Sequence, residues 1–220
     1  VTDMDGDGCR DSDEDLNDDG DAFDDSFDDC PTYYGTSTQG EQGCADSDQD
    51  TWSDNSDTCP LQPGNSTENG KIACLDSDGD GWANVDDAFD YEPSQWIDSD
   101  GDGFGDNSAG LNPDDCVDTS GDSLYDRLGC YDFDGDGYSN PEGNWDSDNG
   151  ADAFPQNPLQ WSDFDGDGLG DNWGNLSWTD RPEGWPGQYV ESIAENEQDT
   201  CPLRFGNSNQ NGAYGCPDLD

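Results

Sequence analysis

The stretch Cys74-Leu-Asp-Ser-Asp-Gly-Asp-Gly-Trp-Ala-Asn-Val-Asp-Asp87 decides how this chain folds. Asp76, Asp78 and Asp80 alternate, Gly81 follows, and Asn84 and Asp87 come after it. Alternate side chains on a curling loop point inward, and glycine adopts the positive φ that turns the backbone around a centre. A hard cation needs about six to eight oxygens at short range. Side chains at the first, third, fifth, ninth and twelfth places, with the carbonyl of the seventh, make such a cage.

The pattern recurs. Loops open at Asp3, Asn17, Asp46, Asp76, Asp98, Asp118, Asp132 and Asp163, and a ninth begins at Asp218 with Asp220 in its third place. The first has Asp3, Asp5, Asp7, Asp11 and Glu14 as ligands, the second Asn17, Asp19, Asp21, Asp25 and Asp28. The third has Asp46, Asp48, Asp50, Asp54 and Asp57, and the fourth Asp76, Asp78, Asp80, Asn84 and Asp87. Asp98, Asp100, Asp102 and Asp106 form the fifth, with a closing ligand displaced to Asp114 or Asp115. Asp118, Asp122 and Asp126 make a weaker sixth, where Ser120 and Ser123 break the pattern. The last two are Asp132, Asp134, Asp136 and Asn140, then Asp163, Asp165, Asp167 and Asp171; their deferred closing ligands are Asp152 and Asp199.

Composition agrees that cations are needed. Leu, Ile, Val and Phe number 26 of 220 residues and the formal charge is −51, a balance that ordinarily leaves a chain disordered for lack of buried apolar area. A solvated acidic surface would not require 47 Asp against 9 Glu. The seventh places hold Cys9, Phe23, Trp52, Trp82, Phe104, Leu124, Tyr138 and Leu169, which predicts a thin, segmented apolar core behind the loops. Five Lys and Arg exclude a nucleic-acid partner, and no apolar run is long enough to span a membrane. The chain begins at Val1 without a signal peptide, which fits a mature product or a segment of a longer protein.

Cysteines keep step with the loops. Cys30, Cys59, Cys116 and Cys201 each stand two residues after an Asp that closes a loop, and Cys44, Cys74, Cys130 and Cys216 two residues before an Asp that opens the next. Four local bridges, 30–44, 59–74, 116–130 and 201–216, follow from that regularity, each worth roughly 3 kcal/mol; Cys9 is left over. Without His or a Cys-x-x-Cys pair, zinc is excluded. The segments 87–98 and 152–163 repeat an Asp-Ala-Phe…Gln-Trp pattern, in which Phe89, Trp96, Phe154 and Trp161 replace a bridge by packing. Frequent Gly, Pro and Asp make regular secondary structure scarce. The expected organisation is a tandem array over 1–172, an aromatic insertion over 173–198 with one short helix near 189–195, and a final Cys loop with a truncated cation loop over 199–220.

An EF-hand shares the loop opening but needs flanking helices, and these loops follow one another too closely. The sequence instead resembles thrombospondin type 3 repeats: residues 46–60 run Asp46, Asp48, Asp50, Asp54, Asp57, Cys59, Pro60, and residues 17–31 end Asp28-Asp-Cys30-Pro31. The resemblance, also to repeat arrays of archaeal and bacterial surface proteins, covers all but about 173–198. It implies an extracellular chain wrapped around a string of calcium ions, with ions shared between loops at sites such as Asp11, Asp13 and Asp15. At about three to five carboxylates per ion, the acids would hold roughly 10–15 calcium ions.

The function expected is structural: a calcium-rigidified rod serving as stalk, surface-layer component or filament subunit. Cys9 and the broken loop at Asp218-Leu219-Asp220 suit head-to-tail association. Adhesion or carbohydrate binding by Trp173, Trp178 and Trp185 is the alternative. Catalysis is not expected, because no nucleophile has an identifiable base. The sequons at Asn65 and Asn175 are candidate N-glycan sites.

Overall fold

The computed structural model describes residues 3–11, 15–177, 181, 183–194, 196–209 and 212–218. Glu14, Trp178 and Asp220 lie outside them, as do Asp13 and the end of the 189–195 segment. The chain divides into two compact units, one of Val1–Ile97 with Ala109–Leu111 and one of Asp98–Ser108 with Asn112–Asp220. Each is built from the same two parts in alternation, an acidic loop and a connector.

Regular secondary structure is nearly absent, as the density of Gly, Pro and Asp dictates. The described residues contain one 3₁₀ turn, Ser147–Asn149, and isolated backbone pairings such as Gln39 with Trp52 and Gly170 with Gln198. The helix expected near 189–195 does not form over its described residues. Trp173 N–H donates to Gln188 O (3.0 Å) and Val190 N–H to Trp173 O (2.9 Å), so this stretch is spent pairing with Trp173. No helix among the described residues is long and apolar enough to cross a membrane.

All four local disulfides are present: Cys30–Cys44, Cys59–Cys74, Cys116–Cys130 and Cys201–Cys216. Cys9 is in none of them. The connectors they close share the spacing Cys-x4-Gly-x-Ser, with Gly35, Gly64, Gly121 and Gly206 followed two residues later by Ser37, Ser66, Ser123 and Ser208. Both residues have defined work. A Cβ on any of the four glycines would lie about 2 Å from the backbone carbonyl group of the second cysteine, so no larger residue fits between the two arms. Ser37, Ser66 and Ser123 are fully buried. The hydroxyl of Ser66 donates to Lys71 O (2.5 Å) and accepts from Cys74 N–H (2.9 Å); Ser37 bridges Glu41 O and Cys44 N–H, and Ser123 bridges Arg127 O and Cys130 N–H, in the same way.

This overturns the cation loop expected at Asp118. Residues 116–130 are a disulfide connector, with Gly121 and Ser123 in the places just described. Asp118 and Asp122 are exposed. Asp126 instead accepts from the backbone N–H (2.9 Å) and hydroxyl (2.5 Å) of Ser139 and from Trp145 Nε1 (3.3 Å). Its carboxylate is committed to holding the neighbouring segment.

The core is also different from the expectation. Apart from three cysteines, the buried apolar side chains among the described residues are Ala73, Ala83, Ala151, Ile193 and Pro202. The larger buried side chains are polar: Gln95, Gln160, Asn172, Asp152, Asp171 and Asp199. Seventh-place aromatics are half-buried, and the two in loops followed by Ala-Phe connectors pair across them. Trp82 stacks on Trp96 with ring centroids 6.4 Å apart, and Tyr138 on Trp161 at 5.2 Å. Leu124, in the misread segment, is 54% exposed. A chain with so few aliphatics must stabilise its interior with hydrogen bonds, which buried polar groups require in any case.

Candidate metal centres

Each acidic loop first organises itself. Asp76 Oδ1 accepts from Gly79 N–H (2.7 Å) and Oδ2 from Gly81 N–H (3.0 Å). Asp46, Asp98, Asp132 and Asp163 do the same for their own fourth- and sixth-place amides. Positive φ angles at Gly79 (83°) and Gly81 (103°) let those amides face the carboxylate. Ninth-place side chains tie the loop ends: Asp54 to Ser47, Asn84 to Ser77, Asp106 to Ser99, Asn140 to Phe133 and Asp171 to Phe164, each accepting from the second-place N–H at 2.7–3.1 Å.

The third, fifth and closing places converge instead on the loop interior. Asp57 lies beside Asp50 and Asp48, Asp87 beside Asp80 and Asp78, and Asp114 beside Asp102 and Asp100. Asp152 lies beside Asp136 and Asp134, and Asp199 beside Asp167 and Asp165. Of the two residues considered for closing the loop at Asp98, the structure uses Asp114; Asp115 is exposed. Asp19, Asp21 and Asp28 also bring carboxylate oxygens within 4.8 Å of one another.

Insertions of very different length leave this closure unchanged. Closing N–H groups donate to the eighth-place carbonyl in five loops: Asp57 to Ser53, Asp87 to Ala83, Asp114 to Gly105, Asp152 to Ser139 and Asp199 to Gly170, at 2.8–3.0 Å. Each closing carboxylate then accepts through Oδ1 from the N–H two residues on, of Cys59, Phe89, Cys116, Phe154 or Cys201 (2.5–2.7 Å). Fifth-place carboxylates followed by a disulfide connector accept from its glycine: Asp21 from Gly35, Asp50 from Gly64, Asp102 from Gly121 and Asp167 from Gly206, at 3.0–3.3 Å. Asp80 and Asp136, followed by Ala-Phe connectors, have no such glycine, and their Oδ2 atoms are left over.

What remains is the chemical content of the site. Seventeen carboxylate oxygens, on fifteen aspartates, are buried without a hydrogen-bond partner among the described residues. They include both oxygens of Asp48 and Asp100 and one each on Asp19, Asp57, Asp78, Asp80, Asp114, Asp134, Asp136, Asp152, Asp165, Asp171 and Asp199. Asp152, Asp171 and Asp199 are at most 1% exposed. Buried, unpaired carboxylates crowded together are untenable unless they are protonated or bind a cation. Burial, reinforced by neighbouring carboxylates, pushes Asp152 and Asp199 up to about 7 and Asp136 and Asp171 to about 6. The set is oxygen-only and acidic, and deepest at Asp152, Asp171 and Asp199, which fits a hard divalent cation.

Two further clusters lie near the start of the chain. Asp3, Asp5 and Asp7 group together but are exposed. Asp11, Asp15 and Asp18 form a half-buried group, with Asp15 Oδ2 and Asp18 Oδ1 unpartnered. Asp18 had no place in the twelve-residue pattern; it joins only because Asp25 Oδ1 accepts its N–H (2.8 Å) and fixes the turn. Asp218 is the described part of the ninth loop.

The aromatic insertion is packed on itself. Trp185 Nε1 donates to Asp171 O (2.7 Å), Trp173 meets Trp185 edge-on at 6.1 Å, and the Arg181 guanidinium lies 3.8 Å above the Trp173 ring. Both rings are half-buried, and Trp178, the third ring expected there, lies outside the described residues. At the sequons, Asn65 is exposed but its backbone N–H is held by Cys74 O (3.0 Å). Asn175 is exposed and its side-chain oxygen accepts from the Ser177 hydroxyl (2.7 Å). Scans of protein-family models and of curated proteins find no match to this chain.

Proposed function

We propose that this is an extracellular calcium-binding structural protein, a calcium-stiffened spacer of the kind used as a stalk, surface-layer component or filament subunit. The observation that carries the reading is the set of buried, unpartnered aspartate oxygens, repeated loop after loop on one register. Calcium suits it better than magnesium, because carboxylates held at several backbone-fixed positions supply many oxygens and not a small strict octahedron. Extracellular modules of this class bind at roughly 10⁻⁴ to 10⁻³ M, and four disulfides belong in an oxidising compartment. The residues with perturbed protonation are those that would hold the ions, so the reading is non-catalytic.

Equilibrium dialysis against millimolar calcium, with metal counted by mass spectrometry, tests this directly. Roughly 10–15 ions per chain are expected from carboxylate supply, and Asp48→Asn should remove at least one; one or no ion bound would end the reading. Protons provide a second check. A carboxyl raised in the folded state binds its proton more tightly there than in the unfolded chain, so the metal-free fold gains stability as pH falls from about 7 towards 4 and loses it as pH rises through 6 to 7. Calcium must displace those protons. Titration calorimetry in buffers of different ionisation enthalpy should therefore report about three protons released at pH 6 by Asp136, Asp152, Asp171 and Asp199 together, and close to none at pH 8.

A further inference from the structure

The five closures with the same hydrogen bond differ in how much chain they bridge. Asp57 and Asp87 return to the carbonyls of Ser53 and Ala83, four residues back, whereas Asp199 returns to Gly170 across the whole aromatic insertion. Both ends of that insertion meet at one acidic loop, where Asp199 lies beside Asp165, Asp167 and Asp171. Asp171 sends its carboxylate inward, with Oδ1 buried and unpartnered, while its carbonyl accepts the Trp185 indole N–H. At the other end Asp199 presents Oδ2, also buried and unpartnered. Between them the lobe is held by polar straps: Gln160 Nε2 donates to Asn172 O (3.1 Å) and Glu197 O (2.9 Å), and Gly174 N–H donates to Gln198 Oε1 (3.2 Å).

We infer that the centre of Asp163, Asp165, Asp167, Asp171 and Asp199 is the calcium-responsive clasp of the 172–198 lobe, filling last and releasing the lobe when it empties. The inference rests on the calcium reading above. With the ion bound, Asp171 and Asp199 are drawn to one point and the lobe is clamped at its base. Without it, two fully buried carboxylates face each other and Asp165 and Asp167, and opening the base relieves that repulsion. Closure entropy sets the order. A closing ligand that returns across 29 residues instead of four carries a penalty scaling as the three-halves power of length, which makes its apparent affinity roughly 20-fold weaker. The centres at Asp46 and Asp76 therefore stay loaded at calcium levels where the lobe is already free.

Hydrogen exchange on the full chain across a free-calcium series reads this out at named amides. Trp173 and Val190 report the lobe, and Asp54 and Asp57, which donate to Ala45 O and Ser53 O, report a short-closure centre. The expected result is that the lobe amides lose protection at roughly 20-fold higher free calcium than Asp54 and Asp57. Asp199→Asn, which keeps an acceptor for the Cys201 N–H, should free the lobe even at millimolar calcium while the Asp54 and Asp57 amides stay protected. Asp165→Asn, which removes a ligand outside the lobe, should do the same, and Asp57→Asn should leave the lobe ordered. Lobe protection that survives calcium removal, that is indifferent to both Asp199→Asn and Asp165→Asn, or that is lost together with Asp54 and Asp57 would overturn the inference. Absence of calcium binding anywhere would overturn the calcium reading as well, whereas binding with an indifferent lobe would overturn the clasp alone.

Discussion

Calcium removal by excess chelator is expected to convert the chain from a protease-resistant fold to a swollen coil, with its radius of gyration moving towards the roughly 50 Å of an unfolded chain of this length. The driving term is electrostatic. With 56 acidic residues against five basic ones, removing 10–15 divalent ions restores 20–30 negative charges to the interior, at about three to five carboxylates per ion. The four disulfides restrain this only locally, since each closes a loop of 14 or 15 residues. Two controls separate ion binding from general screening. Raising salt should shrink the swollen coil, because free carboxylates are screened over about 8–10 Å, but should not restore protease resistance. Millimolar calcium should restore both. Scattering and limited proteolysis on one sample decide it: an unchanged radius after chelation would mean that the fold does not need its ions.

Gly64→Ala should be among the most damaging single methyls in the chain. The added carbon would sit 2.0 Å from the Cys74 carbonyl carbon and 2.1 Å from its oxygen, and neither is a side chain that can turn away. Relief requires parting the two arms of the Cys59–Cys74 connector, which also withdraws the Gly64 N–H from Asp50 Oδ2 (3.0 Å). Overpacking of this kind costs about 3 kcal/mol or somewhat more, so calcium should bind the Asp46 centre about 100-fold more weakly. Gly79→Ala is the contrast. Gly79 has φ of +83° but open space where the methyl would go, so its cost is the left-handed strain of about 1–2 kcal/mol, nearer a tenfold loss. Calcium titration of the two variants side by side checks the ranking; equal losses would show that the connector is not wedged as described.

The acidic loops and the disulfide pairing could be read from sequence because their signals are local and repeated. An aspartate every second residue, then Asp-x-Cys, leaves few alternatives. The closing residues Asp114, Asp152 and Asp199 were also legible, despite their distance, because each stands two residues before Cys or Phe just as Asp57 stands before Cys59. What misled was the segment at 118–126, whose Asp-x-Ser-x-Asp-Ser spacing imitates a cation loop. The countersignal was available: Gly121 and Ser123 repeat Gly35 and Ser37, Gly64 and Ser66. Its physical meaning, a glycine wedge and a serine bridge, emerges only when the two arms of the connector are brought together. Asp18 carried no pattern, and Gln95 and Gln160 showed only as the repeated Gln of Gln-Trp, since their roles come from contacts such as Gln160 with Glu197 that local spacing does not encode. The aromatic places were recognised as special but misjudged in depth: Trp82 and Tyr138 stay half-buried and stack on Trp96 and Trp161 rather than sink.

The interior made of Ser, Gln, Asn and Asp has a thermal consequence. Heat capacity rises on unfolding when apolar surface meets water and falls when polar surface does, giving about 12–15 cal/mol/K per residue in ordinary globular proteins. Here the deeply buried side chains are mostly polar, with alanines and one isoleucine as the main aliphatic exceptions. Calorimetry of the calcium-loaded protein should return a value per residue well below that range. A small heat capacity flattens the curve of stability against temperature, so this fold should neither peak sharply near room temperature nor weaken on cooling. Its integrity would then follow the calcium concentration around it far more closely than the warmth of its surroundings.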